Sequence, residues 1–295
     1  MIIPPLSLKQ EALDRVASPT PRQFHHEYIA RQRPAVLTGI ASRWPSHTRW
    51  SAEFFRREHG SVRAEVELQG GKNPRSYFPE RKYAQMDVAT FVDKLPETSP
   101  RHYLSQWPAL LHIPRLTEDL VPLSDYQTLP EYYPGFLQRR LRLERHFWFG
   151  AAGTFSTLHF DPADNFFAQI WGRKKFILFP PEQGPLLYRS HELCETHPFC
   201  LALFSPVDVA EPDLKRFPLY AQATPIEVVL EPGEILYLPA GWWHYVISVD
   251  ASIGVSHWWY RQAIPPKNVE RYVTGAACWG RLALAGKKKL WGRKA

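Results

Sequence analysis

The sequence predicts a mainly β fold, a sandwich or barrel of antiparallel strands that carries helices at both ends. From Arg145 onward, apolar segments of strand length are rich in aromatic and β-branched residues, and Gly or Pro turns such as EPGE and PAGWW separate them. The chain also has 28 prolines among 295 residues, which favours many strands and turns over long helices. No linker interrupts this pattern, so we expect one domain with helical additions.

The first third of the chain has helical character. The segment SPTPRQFHHEYIARQRPAVLTGI begins with capping residues at Ser18 and Thr20, and Pro34 should end the helix that follows. After it, AVLTGI is typical of a short strand closed by Gly39. These elements would precede the β region and pack against it.

A second helix is predicted in SAEFFRREHG, with Ser51 as its N-cap and Gly60 at its end. Strand-like segments VRAEVEL and RHYLSQW come next, and the stretch from Pro108 to Gly135 is proline-rich and irregular. Seven further strands are predicted, in HFWFG, NFFAQIW, KKFILF, IEVVL, EILYL, HYVISV and SIGVSHWWY. Beyond Pro265 the pattern is helical again.

Composition indicates the cellular compartment of the protein and the kind of partner its charge permits. The three cysteines, Cys194, Cys200 and Cys278, are too few for a disulfide framework and favour a reducing, cytoplasmic compartment. The first residues lack the basic start and apolar core of a signal peptide, and no apolar run approaches the roughly 18 residues of a membrane span. The formal charge of +7 permits an anionic partner.

A metal site is predicted from His159 and Asp161 in LHFDPADNFF. On a strand, residues two apart project to the same face, so an imidazole and a carboxylate would meet there. Two histidines and one carboxylate on one face are the ligand set of non-haem Fe(II) oxygenases. His244, which follows the turn PAGWW, is the candidate for the third ligand. The alternative is a surface turn with a hydrogen-bonded His–Asp pair.

Two other groups of metal-capable residues are weaker candidates. His25–Glu27 lies on the first predicted helix, where residues two apart point in widely separated directions. Cys194, His197 and Cys200 offer only three ligands, and their spacing is not a familiar zinc arrangement. A loop between strands is the simpler interpretation of this second group.

A lysine pair opens the predicted strand KKFILF. Phe176 and Leu178 share one face with Lys174, so an inward face would bring an ammonium group into an apolar chamber. A buried lysine is costly unless an anion pairs with it, and a dicarboxylate that also binds the metal would supply that anion. The alternative is that Lys174 and Lys175 both lie at an exposed strand end.

Three longer segments resemble a known family. HFDPADNFFAQIWGRKKFILFPP, EPGEILYLPAGWWHYVIS and RPAVLTGIASRWPSHTRWSAEFF are similar to stretches of the JmjC, or cupin-like, oxygenases that depend on Fe(II) and 2-oxoglutarate. Within the family the likeness is strongest to the asparaginyl hydroxylase that acts on hypoxia-inducible factor, and it spans roughly residues 20 to 265. It implies a double-stranded β-helix, or jelly-roll, for residues 1–265 and a separate basic helical segment at 266–295.

The resemblance also implies the cofactors and their ligands. His159, Asp161 and His244 would bind Fe(II), and Lys174 would bind the distal carboxylate of the co-substrate 2-oxoglutarate. O2 would be the oxidant, and succinate and CO2 would be the co-products. The function implied is hydroxylation of a peptide or protein side chain.

Four further positions are matched to the co-substrate. Tyr103 and Ser156 would offer hydroxyl groups to the distal carboxylate, and Ser156 stands where the asparaginyl hydroxylase has threonine. Asn165 matches an amide near the iron-bound end. His257 is matched to an asparagine of that hydroxylase, a departure that would change the hydrogen bonding around the oxoacid end.

The substrate and the assembly state stay open. Some family members hydroxylate a modified tRNA base, which the positive charge suits, and a metal-binding module without turnover is a further alternative. Demethylation instead of stable hydroxylation also remains open. The C-terminal stretch AACWGRLALAGKKKLWGRKA would form an amphipathic helix that packs in a homodimer, contacts nucleic acid or anionic lipid, or stays a solvated tail.

Overall fold

The computed structural model describes residues 12–70, 81–127, 144–189 and 203–259. Within these ranges, thirteen strands form two sheets. The large sheet has nine strands, in spatial order β1 (Arg15–Ala17), β2 (Ala35–Thr38), β11 (Ile235–Leu238), β8 (Asp164–Trp171), β13 (Ser252–Trp259), β6 (Glu144–Gly150), β5 (Arg101–Trp107), β3 (Arg63–Gln69) and β4 (Lys82–Asp87). The small sheet has four, in the order β10 (Ile226–Leu230), β9 (Lys174–Phe179), β12 (Trp243–Ser248) and β7 (Phe155–Phe160).

The strands from β6 to β13 wind between the two sheets. Strands β6, β8, β11 and β13 lie in the large sheet, whereas β7, β9, β10 and β12 make up the small one. Buried side chains from both sheets, including Phe167, Phe176, Leu236 and Val246, fill the space between them. The predicted mainly β jelly-roll is confirmed, and the interior between its two sheets is called the chamber below.

Short helices cover the other face of the large sheet. They are α1 (Pro21–Phe24), which continues as a π-helical turn over His25–Ile29, α2 (Pro45–Arg49), α3 (Ala52–His59), α4 (Val88–Asp93) and α5 (Ala109–His112). Short 3₁₀ helices lie at Ala41–Arg43, Pro114–Asp119, Pro181–Gln183 and Pro218–Gln222. Aromatic side chains such as Phe24, Trp50 and Phe55 from this layer join Phe166 of β8 in the main core.

The N-terminal elements follow their capping residues. Thr20 accepts a hydrogen bond from the backbone N–H of Gln23 and forms a capping box with its side chain, so the first helix begins at Pro21. Ser51 accepts from the N–H of Phe54 at 3.1 Å and starts α3, as predicted. The described part of the stretch after Pro108, predicted to be irregular, contains α5 and the 3₁₀ helix Pro114–Asp119.

Some predictions fall outside the described residues. The helical segment after Pro265 and the Cys194–Cys200 group both lie there. No helix in the described ranges is long and apolar enough to cross a membrane. Strands β1 and β4 and helix α4 were not predicted from the sequence.

One glutamine side chain connects the two sheets. Gln69 ends β3 of the large sheet, and Phe155 begins β7 of the small sheet. The Gln69 amide nitrogen donates to the Phe155 carbonyl at 2.9 Å, and its oxygen accepts from the Phe155 N–H at 3.0 Å. The side chain thus imitates a neighbouring strand and satisfies both backbone groups of Phe155.

We expect Gln69→Ala to destabilise the protein because it leaves two backbone groups of Phe155 without partners. Each such group costs about 1–3 kcal/mol, and 1 kcal/mol corresponds to roughly 2–4 °C in a domain of this size. The midpoint temperature of thermal unfolding should therefore fall by several degrees. Gln85→Ala is the matched control, because Gln85 donates only to the exposed Glu65 at 3.1 Å. Equal shifts in the two variants would contradict the bridging role.

Candidate active site

Three side chains converge at one end of the chamber. His159 lies near the end of β7, and His244 lies directly opposite it near the start of β12. The Nε2 atoms of His159 and His244 are 4.0 and 3.7 Å from the nearer carboxylate oxygens of Asp161. One ligand atom from each residue falls within 4.8 Å of the others, so the three can hold a single metal ion.

Asp161 does not lie on the same strand as His159, in contrast to what the sequence predicts. The expectation was that His159 and Asp161 share the face of one strand, but β7 ends at Phe160 and Asp161 lies in the turn that follows. The Asp161 carbonyl accepts a hydrogen bond from the N–H of Gly241 at 2.9 Å, which ties this turn to the segment that leads to His244. The ligand set is therefore built from one strand end, one turn and one strand start.

Backbone carbonyls fix the orientation of both imidazole rings. The Nδ1 atom of His159 is 2.6 Å from the carbonyl oxygen of Thr157, and Nδ1 of His244 is 3.0 Å from that of Trp242. Each Nδ1–H can donate to its carbonyl, which leaves Nε2 as the free lone pair. Metal-binding histidines are commonly held in this way.

Burial sets the charge states of the three groups. It lowers the pKa of His159 to about 4 and that of His244 well below its usual range, so both rings are neutral at physiological pH. It raises the pKa of Asp161 to about 7. Among the described residues, no lysine or arginine forms an ion pair with Asp161. A metal cation would supply the missing positive charge, and the donor set of two neutral imidazoles and one carboxylate fits Fe(II).

An aromatic residue covers one side of this group. Phe204 stacks on the His159 ring, with 5.3 Å between centroids and an interplanar angle of 20°. The next residue, Ser205, donates its N–H to the carbonyl of Leu158 at 2.9 Å, so this segment pairs with the free edge of β7. His159 is therefore shielded from one direction while the opening of the chamber stays partly exposed.

Lys174 lies inside the chamber, on the face of β9 that also carries Phe176 and Leu178. Its residue exposure is 1%. Lys175 points outward instead and pairs with Glu227 at 2.7 Å, so the alternative of two exposed lysines does not hold. Burial lowers the pKa of Lys174 to about 7, and none of the described carboxylates pairs with it.

The structure places the Tyr103 hydroxyl against Lys174 and the Ser156 hydroxyl against that of Tyr103. The Lys174 ammonium donates to the hydroxyl oxygen of Tyr103 at 3.4 Å, and this hydroxyl is also hydrogen-bonded to Ser156. Tyr103 is 2% exposed, and burial raises the pKa of its phenol. One cation and two hydroxyl groups at the closed end of an apolar chamber form a receptor suited to a carboxylate.

Of the two remaining residues predicted to contact the co-substrate, Asn165 lies in the chamber and His257 does not. Asn165 is buried on the chamber face of β8, beside Phe167, and its amide oxygen has no hydrogen-bond partner in the described structure. The structure does not bring His257 to the chamber. Its ring lies on the opposite face of β13, 5.8 Å from the Trp44 ring, and burial lowers its pKa to about 3.

Ser256, one residue earlier, takes the inward position on β13. Its hydroxyl accepts from the indole N–H of Trp148 at 2.9 Å, and Trp148 packs against the interior cluster. Neighbouring residues on a strand face opposite sides, so a match shifted by one residue exchanges the two faces. The role expected of His257 is thus open to Ser256.

A buried ion pair near the triad was not predicted. Glu67 of β3 is 4% exposed. Its carboxylate accepts a hydrogen bond from the Arg81 guanidinium at 3.2 Å and another from the Gln69 amide at 3.0 Å. Arg81 lies near enough to His159 to help lower the pKa of that ring. The alternation of charged and apolar residues in VRAEVEL indicated a strand, but nothing in it distinguished an inward Glu67 from a solvated one.

Comparison with known proteins identifies the family. A family model described as a cupin-like domain matches residues 21–263. The chain belongs to the cupin-like JmjC family. It is 34% identical over 266 residues to lysine-specific demethylase 8 of Xenopus tropicalis, an alignment that covers 88% of this chain and 55% of that protein. It is 27% identical over 266 residues to the human bifunctional peptidase and (3S)-lysyl hydroxylase JMJD7, covering 82% of this chain and 81% of that protein.

A third relative of this chain is named for a role in tRNA modification. It is the tRNA wybutosine-synthesizing protein 5 of Gallus gallus, 27% identical over 254 residues that cover 81% of this chain and 74% of that protein. The chain spans little more than half the length of several curated relatives it matches. JmjC oxygenases use Fe(II), 2-oxoglutarate and O2, and the His–Asp–His group described above is suited to the metal.

The low pKa of Lys174, together with the carboxylate-binding role that the sequence analysis expects of it, predicts a pH dependence of 2-oxoglutarate binding. The ammonium form is present below about pH 7 and is lost as the pH rises through that value. We therefore expect the dissociation constant of 2-oxoglutarate to increase by up to about tenfold per pH unit above 7. Isothermal titration of metal-loaded protein between about pH 6 and pH 9 would measure this. Pyruvate, which lacks the distal carboxylate, is the control, and an equal pH slope for both acids would contradict the role of Lys174.

Proposed function

We propose that the protein is an Fe(II)- and 2-oxoglutarate-dependent dioxygenase that hydroxylates a peptide or protein side chain, with succinate and CO2 as co-products. The observation that carries the proposal is the combination of two features of one chamber. Three metal-capable side chains with ligand atoms within 4.8 Å lie at its open end, and a buried lysine without a described carboxylate partner lies at its closed end.

Each group has a proposed task. His159, Asp161 and His244 hold the iron, which when bound supplies the O2-dependent oxidation of an unactivated C–H bond. Lys174, Tyr103 and Ser156 bind the distal carboxylate of 2-oxoglutarate and so fix the direction in which it enters the metal site. This arrangement requires an oxoacid with carboxylates at both ends.

The walls of the chamber control access of water. Phe167 and Phe176 pack against each other within the barrel, and Phe204 covers one face of His159. Asn165 offers an unpaired amide oxygen on the chamber face of β8. Apolar walls of this kind keep the reacting carbon as the favoured target of oxidation by excluding competing water.

A protein substrate is favoured over the alternatives by the relatives' printed activities. Lysine-specific demethylases and a lysyl hydroxylase both imply protein side chains as targets. Specific nearness to the asparaginyl hydroxylase acting on hypoxia-inducible factor remains a prediction, as does dimerisation through the C-terminal segment, which lies outside the described residues. A tRNA base is the second candidate, because one relative is a tRNA-modifying protein and the chain carries a formal charge of +7.

Succinate release tests the oxygenase chemistry without knowledge of the substrate. Purified protein with Fe(II), 2-oxoglutarate and ascorbate should release succinate slowly by uncoupled turnover, and His159→Ala should abolish it. Equal succinate release from both proteins would contradict the proposal. Absence of release from the unmodified protein, with iron and 2-oxoglutarate bound, would favour the binding module instead.

Mass spectrometry then separates the substrate classes. Peptide mixtures and tRNA are incubated with the protein under ¹⁸O2. Incorporation of one labelled oxygen into a peptide supports the proposal, whereas labelled tRNA supports the second candidate. Release of formaldehyde from methylated peptides would instead indicate demethylation.

A further inference from the structure

The two segments that carry the proposed metal ligands are joined by a small set of hydrogen bonds. Asp164, the first residue of β8, is 1% exposed. Its Oδ1 atom accepts from the backbone N–H of Ala240 at 2.9 Å and from the Tyr237 hydroxyl at 3.4 Å. Ala240 lies in the turn between β11 and β12, four residues before His244. Asp164 therefore spans from the Asp161 segment to the His244 segment.

Every backbone donor of this turn has an assigned acceptor. Pro239 has no N–H, Ala240 donates to Asp164, Gly241 donates to the Asp161 carbonyl at 2.9 Å, and Trp242 donates to the Pro239 carbonyl at 3.2 Å. Gly241 has a φ of +85°, a backbone conformation that favours glycine. The turn is thus fixed at three successive residues, and the two contacts that reach across both lead to 161–164.

The turn 239–242 also fixes the orientation of the His244 ring. The Trp242 carbonyl accepts from Nδ1 of His244 at 3.0 Å, so the position of that carbonyl sets the direction of Nε2. Removal of the Asp164 carboxylate would leave the Ala240 N–H without its partner and would free the turn to shift. A displacement of about 1 Å is enough to disturb a metal-binding geometry.

We propose that Asp164 is a positioning residue for the metal centre, which holds the turn 239–242 so that His244 faces Asp161 at binding distance. The inference rests on the proposed function, because it assumes that the triad binds a divalent metal. The role requires an acceptor oxygen at this position and does not require the negative charge. Asparagine should therefore replace Asp164 better than alanine does.

A cobalt titration tests the proposal. Co(II) is added to the full chain, and its visible absorption bands report both affinity and coordination geometry. We expect Asp164→Ala to weaken Co(II) binding by about 10- to 100-fold and to alter the bands, and Asp164→Asn to restore most of the affinity. If Asp164→Ala does not fold, Asp164→Ser is measured against the same criterion.

Asp119→Ala is the matched control. Asp119 is another buried carboxylate, 2% exposed, that accepts from the Trp50 indole N–H at 2.8 Å and pairs with Arg49, away from the triad. The Asp119→Ala variant should be less stable to heat than the unmodified protein. Its affinity for Co(II) should equal that of the unmodified protein. The inference is overturned if Asp164→Ala binds Co(II) within about twofold of the unmodified protein, or if Asp119→Ala weakens binding equally. Failure of the unmodified protein to bind Co(II) would overturn the proposed metal centre itself.

Discussion

Replacement of Asp161 by alanine is expected to remove iron retention and succinate release together. The substitution deletes the one anionic ligand of the triad and leaves two neutral imidazoles, which burial keeps unprotonated. Loss of groups that merely support a ligand costs about 10- to 100-fold in metal affinity, so loss of a ligand should cost more than about 100-fold. Metal content after anaerobic loading with Fe(II) and buffer exchange would measure the effect.

A control for this experiment comes from the segment His25–Glu27. Its His26 lies 2.8 Å from Glu27 on the surface, an exposed imidazole–carboxylate pair remote from the chamber. His26→Ala should retain full iron content and succinate release. Iron occupancy in Asp161→Ala equal to that of His26→Ala would show that the iron is held elsewhere.

Replacement of Lys174 by methionine is expected to raise the 2-oxoglutarate requirement strongly while iron stays bound. Methionine fills the buried volume but cannot pair with a carboxylate, and an unpaired charge buried in a protein interior costs about 3–5 kcal/mol. This corresponds to an increase of at least about 100-fold in the Michaelis constant for 2-oxoglutarate. Succinate release as a function of 2-oxoglutarate concentration gives this constant, and metal analysis verifies the iron.

Lys175→Met is the control, since it removes the neighbouring lysine from the outer face of the same strand. Lys175 pairs with Glu227 across the strand pair β9–β10, and the contact is partly exposed. This variant should keep the 2-oxoglutarate requirement within about twofold of the unmodified protein, as expected for a surface ion pair. A similar increase in both variants would contradict the anchoring role of Lys174.

The sequence allowed much of the barrel to be predicted because its strands carry a strong local signal. Segments such as NFFAQIW and HYVISV have strand length and β-forming residues, and each coincides with a strand to within one residue. Ser51 likewise marked the start of α3, since a capping side chain acts on the residues next to it. The pattern of KKFILF placed Lys174 on one face with Phe176 and Leu178, but it left open whether that face points inward, and only the structure shows that it does.

What escaped prediction depends on residues distant in the chain. The bond between Gln69 and Phe155 joins positions 86 residues apart, and that between Asp164 and Ala240 joins positions 76 apart. His257 shows a different limit. A one-residue shift in matching a strand motif reverses which side chain faces inward, and only the register of β13 against β6 and β8 fixes it.

The closed base of the chamber has a kinetic consequence. Thr154, Ser248 and Ser252 are all nearly inaccessible around the Lys174 end, whereas Asp161 keeps 14% of its side-chain surface. Within the described residues, the end of the chamber that keeps exposed side-chain surface is therefore the end that carries the three ligand side chains. We expect a small diacid to arrive from that end. A protein substrate bound there first would then delay the diacid, so a large excess of substrate added before 2-oxoglutarate should slow the start of turnover.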